Sequence, residues 1–243
     1  MLSLKCAVDG EQWSAAQLAT VEHARHQHVL HDLKRLGGPV ALTHDEIDLL
    51  DAGAAREASV AARAVLDVED IRKLYADQLR ASDRMWAAAG DNTPAGEPQR
   101  QAVAELTITG LSPHRLRGDS LGQAMDYPRL NPDHFIMTGR DDERYIIETF
   151  GMYGGPTEVQ VVADPAWPSP VEPTPGYDVL VSGYAIVVGL KMPAFHQIKS
   201  TDDGLTVKLG AFFPPRTPDP IVTGHGLHMA IEFWAMAQII AGE

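Results

Sequence analysis

The sequence predicts an α+β protein in which a helical N-terminal region precedes a curved antiparallel sheet around one long C-terminal helix. Three observations carry this. Through residues 11–90 apolar residues recur at helical spacing, in a stretch rich in alanine with Pro39 as its only proline. Beyond residue 100 the period shortens towards two, and β-branched and aromatic residues gather in short runs between Gly, Pro and Asp. The last twenty residues return to a helical composition. Consecutive strands joined mostly by short turns make an antiparallel sheet, and the closing helix covers its apolar face.

The elements follow in order. Leu18, Val21, Val29, Leu33 and Leu36 set the first helix, which Gly37-Gly38-Pro39 stops. Thr43-His44-Asp45-Glu46 is a capping box that opens a second, with Ile47, Leu49, Leu50, Ala54, Ala58 and Ala61 after it. Val68–Leu79 makes a third, with Ile71, Leu74, Tyr75 and Leu79 on one face. The first helix carries His23, His26, His28 and His31. At roughly 100° per residue these stand at about 0°, 300°, 140° and 80°, spread around the axis, and read as solvated or interfacial side chains. A polar, Gly- and Pro-bearing linker at 90–100 separates this helical region (1–100) from the sheet and closing helix (101–243).

A strand is expected at 103–109, then a loop over 112–132 broken by Pro113, Gly118, Gly122, Pro128 and Pro132. His134–Thr138 and Arg144–Phe150 read as strands about a turn at 139–142, and Glu158–Ala163 as the next. A proline-rich loop at 164–176 leads to a strand over Tyr177–Val188, bent at Gly183. Phe195–Lys199 and Leu205–Phe213 make a hairpin around Asp202-Asp203-Gly204. The final helix spans 224–240, with Gly224 and Gly226 loosening its start.

Composition narrows the function. A net charge of −13, with 33 acids against 20 bases, opposes a nucleic-acid surface. No apolar run reaches the roughly 20 residues of a membrane span. The start, Met1-Leu-Ser-Leu-Lys-Cys-Ala, is too short and polar for a signal peptide, so a cytoplasmic protein is expected. Cys6 is the single cysteine, which leaves His, Asp and Glu as metal ligands.

His228 and Glu232 lie four apart on the last helix, one above the other on a single face, where they can grip one ion or simply be polar residues of a core helix. His134, Glu148 and His196 interrupt apolar strands. A buried Glu is costly unless paired or metal-bound. Read from periodicity, Glu148 either faces outward to Arg144 or Arg140, or faces inward. Facing inward, His134 and Glu148 meet His228 and Glu232 in a two-His, two-Glu site suited to a borderline ion such as zinc. His225, three residues before His228, is an alternative ligand, although its place between two glycines favours a loop or helix-start role.

The segments Asn131-Pro-Asp-His-Phe135, Tyr145-Ile-Ile-Glu-Thr-Phe-Gly151, Phe195-His-Gln-Ile-Lys…Asp202-Asp-Gly204 and His228-Met-Ala-Ile-Glu232 resemble, in that order, motifs of the 2,4-diacetylphloroglucinol hydrolase and phloretin hydrolase family. The resemblance covers roughly residues 125–240 and leaves the first hundred unexplained. It implies a helix-grip fold of the Bet v 1 type, zinc on His134, Glu148, His228 and Glu232, and hydrolysis of an aryl–acyl carbon–carbon bond in an acylphenol-like substrate. A His or Tyr beside the metal would serve the departing ring as acid or hold its phenol oxygen; His196 comes first, then Tyr184, Tyr177 and Tyr127. Asn131 stands where the family has His. The 14 positions from His134 to Glu148 are fewer than the family's, which keeps Glu158 as an alternative ligand.

Three readings follow: a metal-dependent hydrolase, a binding protein for an apolar aromatic or polyketide-like ligand, and a metal-free cyclase using His and Tyr. The Ala-rich helices offer a surface for a homo-oligomer.

Overall fold

A computed structural model describes residues 1–91, 96–111, 127–140, 143–152 and 155–242. Part of the expected linker, most of the 112–132 loop and the tip of the 139–142 turn lie outside the described residues.

The chain begins with strands. β1 (Ser3–Val8) and β2 (Glu11–Trp13) form a hairpin about Asp9 and Gly10, whose φ angles are 49° and 87°. Both angles are positive, the two-residue turn whose twist matches its strands. α1 (Ala15–Arg35) starts on a capping box between Ser14 and Gln17. The second expected helix is divided: α2 (His44–Asp48) opens on the Thr43–Glu46 capping box, and α3 (Ala52–Ala64) restarts where the Asp51 carboxylate accepts from the Ala54 N–H. The third is divided too, into α4 (Val68–Leu74) and α5 (Ala76–Asp91).

The remaining strands are β3 (Arg100–Thr109), β4 (His134–Arg140), β5 (Glu143–Thr149), β6 (Pro156–Ala163), β7 (Asp178–Val187), β8 (Leu190–Thr201) and β9 (Gly204–Phe213). They pair antiparallel in the order β2-β1-β3-β9-β8-β7-β6-β5-β4. β2 and β4 are edges, so the sheet is open. This corrects the expected fold class, a helix-grip core confined to 101–243 with a purely helical region before it. The sheet has nine strands among the described residues, and two of them come from the N-terminal region: β1 and β2 join through β3, with Cys6 opposite Leu106. The irregularity in β7 falls between Val179 and Val181, not at Gly183.

Each face of the sheet has a cover. α7 (Asp219–Ala241) packs Met229, Ala230 and Ile231 into one apolar cluster with Leu106, Leu205 and Leu209. Its approach is close: a Cβ on Gly226 would lie 2.7 Å from Val8 Cγ1. On the other side Leu30, Leu33, Ile71 and Tyr75 meet Phe135 of β4 and Ile147 of β5. Burial of Phe135 and Ile147, 3% and 0% exposed, contributes roughly 1.5–3 kcal/mol each and fixes the β4–β5 end to the helical layer. α6 (Tyr127–Leu130) leads into β4, and a 3₁₀ turn at Phe150–Met152 follows β5. There Gly151 takes φ 71°, and a Cβ on it would stand 2.2 Å from the Ile221 carbonyl oxygen. Only glycine lets this turn press against the start of α7.

Candidate metal centre

The centre is built on three elements. β4 starts with His134, and the pairing of β4 with β5 sets Glu148 directly opposite it. α7 supplies His228 and, one turn on, Glu232. The segment before β4 is tied at every residue that matters. Asn131 Oδ1 accepts from the Asp133 N–H (2.9 Å), and its Nδ2 donates to the His228 carbonyl (3.0 Å). The Arg63 guanidinium, on α3, donates to the carbonyls of Asn131 (2.9 Å) and His134. Arg25 of α1 pairs with the buried Asp133 carboxylate. Neutral and charge-assisted bonds together lock the backbone that carries His134.

His134, Glu148 and His228, 1%, 7% and 2% exposed, can hold a metal ion: one ligand atom from each lies within 4.8 Å of the others. His134 Nδ1 is 3.0 Å from the Tyr127 carbonyl oxygen. A carbonyl only accepts, so Nδ1 carries the proton and Nε2 is left as a lone pair. That Nε2 faces His228 Nε2 at 3.0 Å and Glu148 Oε2 at 3.7 Å; His228 Nε2 is 4.0 Å from Glu148 Oε2. Two nitrogens on one tetrahedral ion, bonded at roughly 2.0–2.1 Å, stand roughly 3.3–3.4 Å apart, so the opening is within a few tenths of an ångström of a fit. His228 Nδ1 has no hydrogen-bond partner among the described residues.

Electrostatics agree with a cation. Burial holds His134 down at about 3 and His228 well below the ordinary imidazole value, so both are neutral ligands. Burial pushes Glu148 up to about 7, against the pull of the Tyr127 hydroxyl, which donates to it at 2.6 Å. Burial, helped by the charge of Glu148, pushes Glu232 up to about 8. Two carboxyls that resist ionisation in a shared space are what a divalent ion would stabilise as carboxylates. Glu232 stands at the margin, 4.0 Å from His228 Nε2 with its side chain 27% exposed.

A cavity of about 320 Å³ opens on these groups; His134, Glu148, His228 and Glu232 all line it, together with Tyr127 and His196. Tyr127 stacks on His134 with centroids 3.8 Å apart. His196 accepts the Gly210 N–H at Nδ1 (3.3 Å), which leaves its proton on Nε2, and burial holds the ring down at about 4. His225 is not in a loop: α7 begins at Asp219, and the ring stacks between Phe150 and His228, with Nδ1 unpartnered among the described residues.

Other expected residues fall elsewhere. Tyr184 faces away from cavity-lining Val181 and Ala185; its ring lies 4.4 Å from Trp167 and beneath the Lys191 ammonium. Tyr177 lies under Lys199 and Lys208. Neither ring lines the cavity with the His–Glu group. Glu158 projects to the outer face, where Arg72 grips it at 2.8 Å, so Glu148 and not Glu158 meets His134. Arg144 lines the cavity rather than pairing outward with Glu148; of the Arg140 side chain nothing is described. The four α1 histidines do not converge: His23 reaches the Leu50 carbonyl, His28 reaches Asp32, His31 reaches His44 and Asp48, and buried His26 lies beside Glu22. Arg63, Arg25 and the bracing by Asn131 escaped the sequence reading. The Asn-Pro-Asp triplet signals a side-chain turn, whereas nothing near Asn131 in the sequence marks its partner Arg63, which lies 68 positions earlier.

No family model matches the chain, and no curated protein matches it. Among the described residues no helix is long and apolar enough to cross a membrane.

Proposed function

We propose that the protein is a metal-dependent hydrolase that cleaves the bond between an aryl ring and an acyl carbon in an acylated phenol, with zinc on His134, Glu148 and His228 and Glu232 completing the set. The observation that carries this reading is the buried, convergent His134–Glu148–His228 group at the wall of a cavity large enough for a small aromatic ligand. The ordered resemblance of four segments to acylphloroglucinol hydrolases supports the bond type. Zinc, when bound, makes water a nucleophile at neutral pH and polarises a carbonyl. The chain supplies the rest. The Tyr127 hydroxyl and carbonyl orient Glu148 and His134. His196, neutral with its proton on Nε2, would donate a hydrogen bond to a phenol oxygen of the ring, and the proton that the departing ring carbon takes up would be the one lost by the attacking water.

The test is metal analysis of purified protein, coupled to phloroglucinol release from a 2,4,6-trihydroxyphenyl ketone. Wild type should carry close to one zinc ion per chain and release the ring; Glu148→Gln should lose both. Tight ligand binding with neither metal nor turnover would instead make this a binding protein.

A further inference from the structure

Behind the metal-lined cavity lies a second chamber of about 150 Å³. Glu148, His196 and His225, with Ile146, Val161 and Val181, line both spaces and form the neck between them. His134, His228 and Tyr127 do not reach the second chamber, whose walls beyond the neck are apolar. Its floor has a simple sequence cause. Ala194 of β8 and Ala211 of β9 pair directly across the sheet, and Ala185 of β7 lies close by. Three alanines on three adjacent strands stand where bulkier residues would fill the core. Protein interiors leave few such gaps, because an empty apolar space is destabilising. An apolar cavity of about 150 Å³ lined by aliphatic and aromatic side chains is large enough to take benzene.

We propose that this chamber is a subsite for a compact apolar group on the ligand, of phenyl or branched-alkyl size, whose polar end lies at the His134–Glu148–His228 group. The inference rests on the hydrolase reading, in which the acyl arm then enters the chamber and the phenolic ring stays in the outer cavity. The preferred substrates are ketones with a branched or aromatic arm rather than acetyl. An isovaleryl arm has three more carbons than acetyl. Burying each is worth roughly a fourfold gain in affinity, so a preference of at least tenfold is expected after losses.

The experiment uses the zinc-loaded full chain and the acetyl, isovaleryl and benzoyl derivatives of 1,3,5-trihydroxybenzene, with dissociation constants and ring release measured for each. The two larger arms should bind at least tenfold tighter than acetyl in wild type, and Ala194→Leu, which narrows the chamber, should erase that ratio. A second measurement needs no variant. In ¹³C-methyl-methionine spectra of wild type, benzene should move the signal of Met192, a chamber residue, more than that of Met137, which lines the outer cavity and not the chamber. Equal affinity for the three ketones, with Met192 unmoved by benzene, overturns the subsite; ring release in that same experiment would leave the hydrolase reading standing. An arm preference with no ring release from any ketone upholds the subsite and sinks the hydrolase reading.

Discussion

At pH 6 Glu148 and Glu232 both hold protons, because burial has pushed them to about 7 and about 8. A divalent ion binds carboxylates, so its uptake must expel those protons. The imidazoles add nothing to the count, since burial keeps His134 near 3 and His228 far below its ordinary value. Each displaced proton costs about 1.4 kcal/mol per pH unit below the pKa of its group. If both carboxylates ligate, the association constant climbs close to a hundredfold per pH unit below pH 7 and levels off above pH 8. If Glu148 alone ligates, the climb is about tenfold and ends near pH 7. Cobalt(II) titrations of the full chain from pH 5.5 to 8, read by visible absorbance, give the slope; calorimetry in two buffers of different ionisation enthalpy counts the protons. Two protons released at pH 6 would place Glu232 among the ligands, and one would exclude it. An affinity independent of pH, with no proton released, refutes the reasoning.

Two further outcomes are expected. Arg63→Met removes the charged donor to the carbonyls of Asn131 and His134. Each such bond is worth about 1.5–3 kcal/mol, partly offset because the buried charge goes with it. Cobalt affinity should fall about 10- to 100-fold, as for other groups that orient metal ligands, in protein that still melts cooperatively; unchanged affinity would show that the clamp is irrelevant to the centre. The metal-free protein should show a stability maximum near pH 6.5. Below it, the unfolded chain binds more protons at four buried imidazoles, His134 and His196, lowered to about 3 and about 4, and His225 and His228, lowered further; these outnumber Glu148 and Glu232, which oppose them from pH 4.5 upward, so stability rises with pH up to about 6.5. Above it those imidazoles are neutral in both states and only the carboxyls count: Glu148, raised from 4.5 to about 7, and Glu232, raised to about 8, still hold protons that the unfolded chain has lost, so stability falls until pH 8, by about 2–3 kcal/mol for the two together. Scanning calorimetry of chelator-treated protein from pH 4 to 8 reads this curve, and a maximum above pH 7.5 would contradict it.

Much of the second half of the fold was legible because its strands are punctuated by Gly, Pro and Asp, and its closing helix by prolines before and Gly242 after. The β1–β2 hairpin was also signalled, by Asp9-Gly10, but it is short and abuts a long alanine-rich helix whose period dominates the window. The direction of Glu148 was not legible. Alternation fails in β5 because both of its faces are covered: Ile147 packs on the helical layer while Ile146 and Glu148 face the cavity. The placing of Tyr184 needed the β7 register, and the irregularity at Val179–Val181 shifts it. The His–Glu spacing on α7 could be read from sequence, but its partners depend on pairing between β4 and β5 and on arginines from a distant helical layer.

Asn131 neither titrates nor faces the ion, yet it joins the two halves of the centre, one amide atom on the β4 approach and the other on α7. His134 and His228 are therefore held together by a neutral brace before any ion arrives. In such a site the ordering of the ligands is completed when the chain folds. The rate of metal uptake is then set by how fast the ion sheds water and the carboxyls shed protons, not by movement of the backbone, and the empty and loaded proteins should have nearly the same shape.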